Sequence, residues 1–132
     1  MSFPKSICFV DDDPVCLKQW REWCVERAIE FQGFGSCYDA AKGTKSVDMV
    51  VIDISAASAS WTMSNAYAPI AELMLAKPKP VYVIGSCAST NFVTETIDDI
   101  EAETGTRPRF FDASSGYEGL ERIVRELANK QQ

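Results

Sequence analysis

Three adjacent carboxylates, Asp11, Asp12 and Asp13, follow directly on the apolar run Ile7–Val10 and lead into Pro14. Carboxylates crowded in this way repel one another unless a cation sits among them, and an oxygen-only ligand set suits Mg²⁺. A further acid, Asp53, closes a second apolar run, and a hydroxyl, Ser86, and an acid, Asp112, follow two more. Where such runs are parallel strands, their carboxyl ends share one edge of the sheet, the edge at which open α/β folds bind ligands. The chemistry available there is a divalent ion held among three or four converging carboxylates, with a hydroxyl nearby.

The elements needed to bring these groups together are legible in the apolar pattern. Strands are predicted over 6–10, 30–34, 47–54, 80–84 and 109–111, as short apolar runs of the kind buried on both faces of a parallel sheet. Helices are predicted over 14–28, 37–42, 63–76, 91–104 and 116–130, from apolar spacings such as Leu120, Ile123, Val124 and Leu127. Asp13 followed by Pro14 reads as an N-cap and a proline in the first helical turn. Gly43 and Gly105 read as helix stops. Pro69 must lie near the start of its helix or kink it. Alternation of five strands with five helices predicts a doubly wound parallel sheet between two helical layers, in a single domain spanning 1–132.

Composition narrows the function. The formal charge is −6, with no histidine in 132 residues. The negative surface argues against nucleic-acid binding, and the missing histidine excludes imidazole acid–base chemistry and the usual zinc sites. No signal peptide and no membrane-spanning run is visible, so a cytoplasmic protein is expected. Five cysteines without a C-x-x-C pair read as reduced thiols, used mostly as small buried hydrophobes.

FVDDDP, DMVVIDI and PVYVIGS together resemble the response-regulator receiver domain of two-component signalling, over about residues 5–130. The resemblance implies a flavodoxin-like sandwich that works as a phosphoacceptor and not as an enzyme. It implies Mg²⁺ held by Asp11, Asp12, Asp53 and the backbone carbonyl of Ser55, phosphorylation on Asp53, and a phosphoryl contact from Ser86. It implies a histidine kinase or phosphotransfer protein as partner, and a homodimer or partner contact through the face of the fourth helix, fifth strand and fifth helix. On that face Arg109, Arg122 and Arg125 lie near a fourth helix rich in acids. No output domain is visible, so a stand-alone receiver acting by protein–protein contact is expected.

Several positions depart from the family pattern. Strict spacing puts Gly85 where the family has Thr or Ser, one residue before Ser86. The lysine that ends the fifth strand in the family is missing, and Asp112 is the candidate site acid in its place. The lysine's register is left open between 112 and 113. The loops 11–14, 53–62, 85–90 and 112–116 contain no Lys or Arg. Two other readings remain. One is a receiver-like docking module that is never phosphorylated. The other is a small phosphatase of the haloacid-dehalogenase type, with Asp11 as nucleophile and Asp13 as general acid, although that family's lysine motif is also missing. Trp20, Trp23, Phe110 and Phe111 read as core.

Overall fold

The computed structural model describes residues 3–54, 66–86 and 90–130; of Thr90 and Ser115 it describes only the backbone. Ser55, Trp61, Cys87 and the predicted helix start at 63–65 lie outside the described residues. The strands are β1 (Ser6–Val10), β2 (Glu30–Phe34), β3 (Met49–Asp53), β4 (Val81–Ser86) and β5 (Arg109–Asp112). The helices are α1 (Pro14–Glu26), α2 (Cys37–Gly43), α3 (Tyr67–Ala76), α4 (Thr90–Thr104) and α5 (Tyr117–Lys130). The strands form one parallel sheet in the order β2-β1-β3-β4-β5. This is the expected doubly wound architecture.

Side chains alternate across the sheet and so divide the core into two layers. Ile7, Phe9, Met49, Val51, Val83 and Phe111 face α1 and α5, where they meet Trp23, Cys24, Leu120 and Ile123. Cys8, Val10, Val50, Ile52 and Ile84 face α2, α3 and α4, where they meet Ala40, Ile70, Leu73 and Ile97. Burial on both faces is why β1, β3 and β4 read as unbroken apolar runs.

Element ends follow local chemistry. Asp13 caps α1 by accepting the Val15 amide at 2.9 Å, with Pro14 in the first turn as expected. Helix α1 stops at Glu26, two residues early, and Ala28 takes a left-handed conformation at φ 55°. Gly105 does the same at φ 78°, beyond α4. Strand β4 runs two residues further than expected, to Ser86, and β5 one further, to Asp112. A 3-10 turn, Ala113–Ser115, then intervenes before α5 and was not foreseen. Cys8, Cys16, Cys24 and Cys37 are free thiols. Burial pushes the Cys8 thiol up to about 11 and those of Cys24 and Cys37 to about 12, so these sulfurs stay protonated and pack as small hydrophobes.

One packing constraint bears on the site. The Phe111 ring, 5% exposed, lies between two glycines. A Cβ on Gly85 of β4 would stand 2.7 Å from Phe111 Cζ, and one on Gly119 of α5 would stand 2.8 Å from Phe111 Cβ. Trp20 lies edge-on against the same ring with centroids 6.3 Å apart, so the ring has little room to yield. Gly85→Ala is therefore expected to destabilise the protein by about 1–3 kcal/mol through overpacking. The loss should largely disappear in the Gly85→Ala, Phe111→Leu background. Chemical denaturation of the two single variants and the double variant measures this; additive losses would show that the ring is not the obstacle.

Candidate functional site

The strand register sets the site. Val10 pairs with Ile52, so Asp11 and Asp53 come next in line at the carboxyl edge. Asp53 stands beside Gly85, and Gly85 beside Phe111. These four positions form a row across the sheet edge, on the face that packs against α1 and α5. They border a cavity of about 320 Å³ whose walls include Asp11, Asp53, Cys16, Trp20, Phe111 and Tyr117.

Asp11 is 6% exposed, and its Oδ1 accepts the Asp13 amide at 2.9 Å. Burial, reinforced by the charges of Asp53, Asp12 and Asp13, pushes its carboxyl up to about 6, while the Asp13 amide pulls the other way. Cys16 has its thiol pushed up to about 11, mainly by burial and then by the same acids, which leaves it no thiolate character. Trp20 is the hub of the aromatic wall. It stacks on Phe9 at 4.9 Å and meets Tyr117 edge-on at 5.1 Å.

The predicted site residues divide sharply. Asp11 and Asp53 face one cavity. Asp12 is exposed and does not line it, although its charge reaches Asp11. Ser86 is buried one residue beyond Gly85, in register with Asp112, and does not line the cavity. Asp112 is exposed. It accepts the Ser114 amide at 2.9 Å and the Ser114 hydroxyl at 2.6 Å, and these bonds hold its carboxyl below the usual carboxylate range. It caps the 3-10 turn and borders a different cavity, with Arg122 and Glu126. The position beside Asp53 and Gly85 belongs to Phe111, not to 112 or 113, although Ala113 also lines the cavity. Trp20, Phe111 and Tyr117 were missed as site residues. The sequence signal for Trp20 was its place one turn beyond Cys16, on the part of α1 that follows the acids. Asp13, the proposed acid of the phosphatase reading, is exposed and occupied as the α1 cap.

Among the described residues, no three His, Cys, Asp or Glu side chains are drawn together tightly enough to hold a metal ion by themselves. Mg²⁺ asks for less, because it keeps several waters and binds through one or two carboxylates. The Asp11–Asp53 pair has that chemistry. It is oxygen-only and carries excess negative charge, and among the described residues no Lys or Arg lines the cavity.

On the face of α4, β5 and α5, Arg107 pairs with Asp98 at 2.8 Å and Glu101 at 3.0 Å, and Arg109 pairs with Glu126. Part of the segregated charge thus closes within the chain, while Arg122 and Arg125 are exposed on α5. Phe110, on the edge strand β5 and 36% exposed, sits between two shallow cavities, one with Val93 and Ile97 and the other with Gly119 and Ile123.

No protein-family model and no curated protein matches the sequence. Solved structures do. The isolated REC domain of RcsB from Salmonella enterica serovar Typhimurium, in its apo form, is 11% identical with a TM-score of 0.74, over 96% of this chain and 90% of that one. The beryllofluoride-activated NtrC4 receiver domain dimer is 12% identical with a TM-score of 0.70, over 98% and 100%. An adenylate cyclase from Rhodopirellula baltica is 15% identical with a TM-score of 0.67, over 94% and 87%. Among the described residues no helix is long and apolar enough to cross a membrane.

Asp11 gives the site a measurable signature. Its folded-state value, about 6, lies above the ordinary 3.8. Between those values the folded protein keeps a proton that the unfolded chain has lost. Stability from this group is therefore full below 3.8 and is lost as pH rises through about 6. Asp11→Asn is expected to be more stable than the wild type at neutral pH, by up to about 3 kcal/mol in metal-free buffer. The two proteins should converge below pH 3.8. Urea unfolding across that range reads the difference; a gap independent of pH would remove Asp11 as its source. With its acids and its aromatic wall in place at the carboxyl edge, the chain has the fold of response-regulator receiver domains.

Proposed function

We propose that the protein is an atypical response-regulator receiver that accepts a phosphoryl group on Asp53 and signals by protein–protein contact. The observation that carries this reading is the placing of Asp11 and Asp53 on one cavity at the carboxyl edge of a receiver-type sheet. Asp11 and Asp53 would hold Mg²⁺ from the cavity wall and Asp12 from outside it, and the resemblance to receivers adds the backbone carbonyl of Ser55 to the expected ligands. When bound, the ion neutralises the incoming phosphoryl oxygens. An Asp53 carboxylate oxygen attacks phosphorus, a new P–O bond forms, and the donor's bond to phosphorus, P–N in a phosphohistidine or P–O in acetyl phosphate, breaks with its electron pair leaving on the donor. With acetyl phosphate the leaving group is acetate. Asp11 helps by staying ionised, and its raised proton affinity makes that harder without a cation. The aromatic wall offers the phosphoryl group no positive charge, and the phenol of Tyr117 is its single hydroxyl. Slow phosphorylation follows, and the phosphorylation-independent docking module remains the limiting case.

Acetyl phosphate with Mg²⁺ is expected to add one phosphoryl mass to the intact protein and none to Asp53→Asn. Phe111→Lys, which puts an ammonium in the row beside Asp53, and Ala113→Lys, which puts one on the cavity wall, should each speed the modification. A charge-assisted hydrogen bond of about 1.5 kcal/mol corresponds to roughly tenfold in rate. Asp112→Lys faces the other cavity and should change little. Modification that maps to Asp11 instead supports the phosphatase reading, and no modification in any variant supports the docking module.

The contact surface we infer is the α4–β5–α5 face, used for a homodimer or for a histidine kinase or phosphotransfer protein. Its support is the exposed Phe110 on a sheet edge, which shares one cavity with Arg122 and another with Arg107, the partner of the α4 acids Asp98 and Glu101. Self-association, read by sedimentation, is expected to weaken with salt because exposed charges are screened within about 8 Å at physiological ionic strength. Arg122→Glu with Arg125→Glu should weaken it further. A monomer at every salt concentration would remove the homodimer.

A further inference from the structure

The cavity beside Asp53 joins two features with opposite preferences for a ligand. One end carries two carboxylates, and the walls are aromatic. Asp11 is 94% shielded from solvent by the complement of its 6% exposure, and it faces the cavity with one oxygen engaged by the Asp13 amide. Asp53 lines the same space. Trp20, Phe111 and Tyr117 form the wall, and Trp20 meets both other rings edge-on. No Lys or Arg lines the cavity, and none occurs at 55–65 or 87–89 in the sequence. At about 320 Å³ the space lies at the small end of the ligand-pocket range of roughly 300–1,000 Å³.

An anion is repelled by the acids. A bare divalent ion uses the acids but gains nothing from the rings. A neutral apolar molecule uses the rings and leaves two carboxylates to be desolvated together. A primary alkylammonium satisfies both ends, with its charge at the carboxylates and its alkyl stem along the rings, where cation–π attraction adds to apolar contact. We infer that this cavity is a binding site for a primary alkylammonium group, placed between Asp11 and Asp53 at one end and Trp20, Phe111 and Tyr117 along the wall. The group comes from outside the chain, either as a free small amine or as the lysine side chain of a partner. The inference concerns the carboxylates invoked above but requires no phosphoryl transfer.

The test titrates the full chain, in EDTA and without any phosphodonor, with n-butylammonium chloride. A parallel titration uses lysine blocked as its N-acetyl, N-methylamide derivative, and KCl matches the ionic strength throughout. The Trp20 indole N–H resonance reports occupancy. A saturable shift is expected. A shift with both probes identifies a site that admits a lysine side chain, and a shift with n-butylammonium alone identifies a site for a free amine. Asp11→Asn and Asp53→Asn should each weaken binding by about tenfold, from the lost charge-assisted contact. Tyr117→Leu, at a 41% exposed position where folding is not at risk, should weaken it by about threefold. The inference is overturned if neither probe saturates, if n-butanol binds as tightly as n-butylammonium, or if both Asn variants bind as the wild type does. Since no phosphoryl group is present, failure here leaves the phosphoacceptor reading standing, and failure of acetyl phosphate to modify Asp53 leaves this one standing.

Discussion

Strict alternation of side chains along parallel strands is the constraint on which the rest of this structure depends. Because helices cover both faces of the sheet, every strand residue belongs to one layer or the other, and a shift of one position exchanges the layers. The parity that buries Ile7 and Phe9 against α1 also delivers Asp11 to that side, and the parity that buries Met49 and Val51 delivers Asp53. The same rule brings Gly85 and Phe111 into line with them. Apolar packing several residues away therefore decides which polar groups meet.

That geometry gives the edge an unusual electrostatic character. The acids are drawn together by strand pairing, which acts whether or not a cation is present, and burial, with their mutual repulsion behind it, raises the proton affinity of Asp11. Along the same row the side opposite the acids is hydrocarbon. Asp112, the remaining strand-end acid, is turned outward and consumed by the turn that follows it. The result is one charged end and one aromatic end within a single cavity.

Much of this was legible in the sequence. Strands β1, β3 and β4 announce themselves as apolar runs because both their faces are buried, and Asp53 follows from where β3 ends. Asp13 as a helix cap followed from its place before Pro14. The side assignment at β5 was not legible. The strand has four residues, and its two central ones, Phe110 and Phe111, are both aromatic, so hydrophobicity cannot say which points inward. Only pairing with β4 resolves the choice, and it sets Phe111 in line with Gly85 and Asp53. Trp20 was hidden for a related reason, since an aromatic at helical spacing looks the same whether it fills a core or walls a cavity. The turn Ala113–Ser115 depends on a side-chain hydroxyl bond from Ser114 to Asp112 that no periodicity encodes.

The Phe111 ring, held between Gly85 and Gly119, ties three sites into one inheritance unit. A side chain gained at either glycine meets a ring that cannot retreat, and a ring lost from between them leaves a void that neither glycine can fill. Accessible paths from this arrangement to one with polar side chains at 85 and 111 therefore pass through an unstable single-step neighbour. Drift at these three positions should be slow and, when it occurs, concerted. Lineages that share the glycine–phenylalanine–glycine set would then mark descent from one founding replacement, and not repeated loss of the same groups.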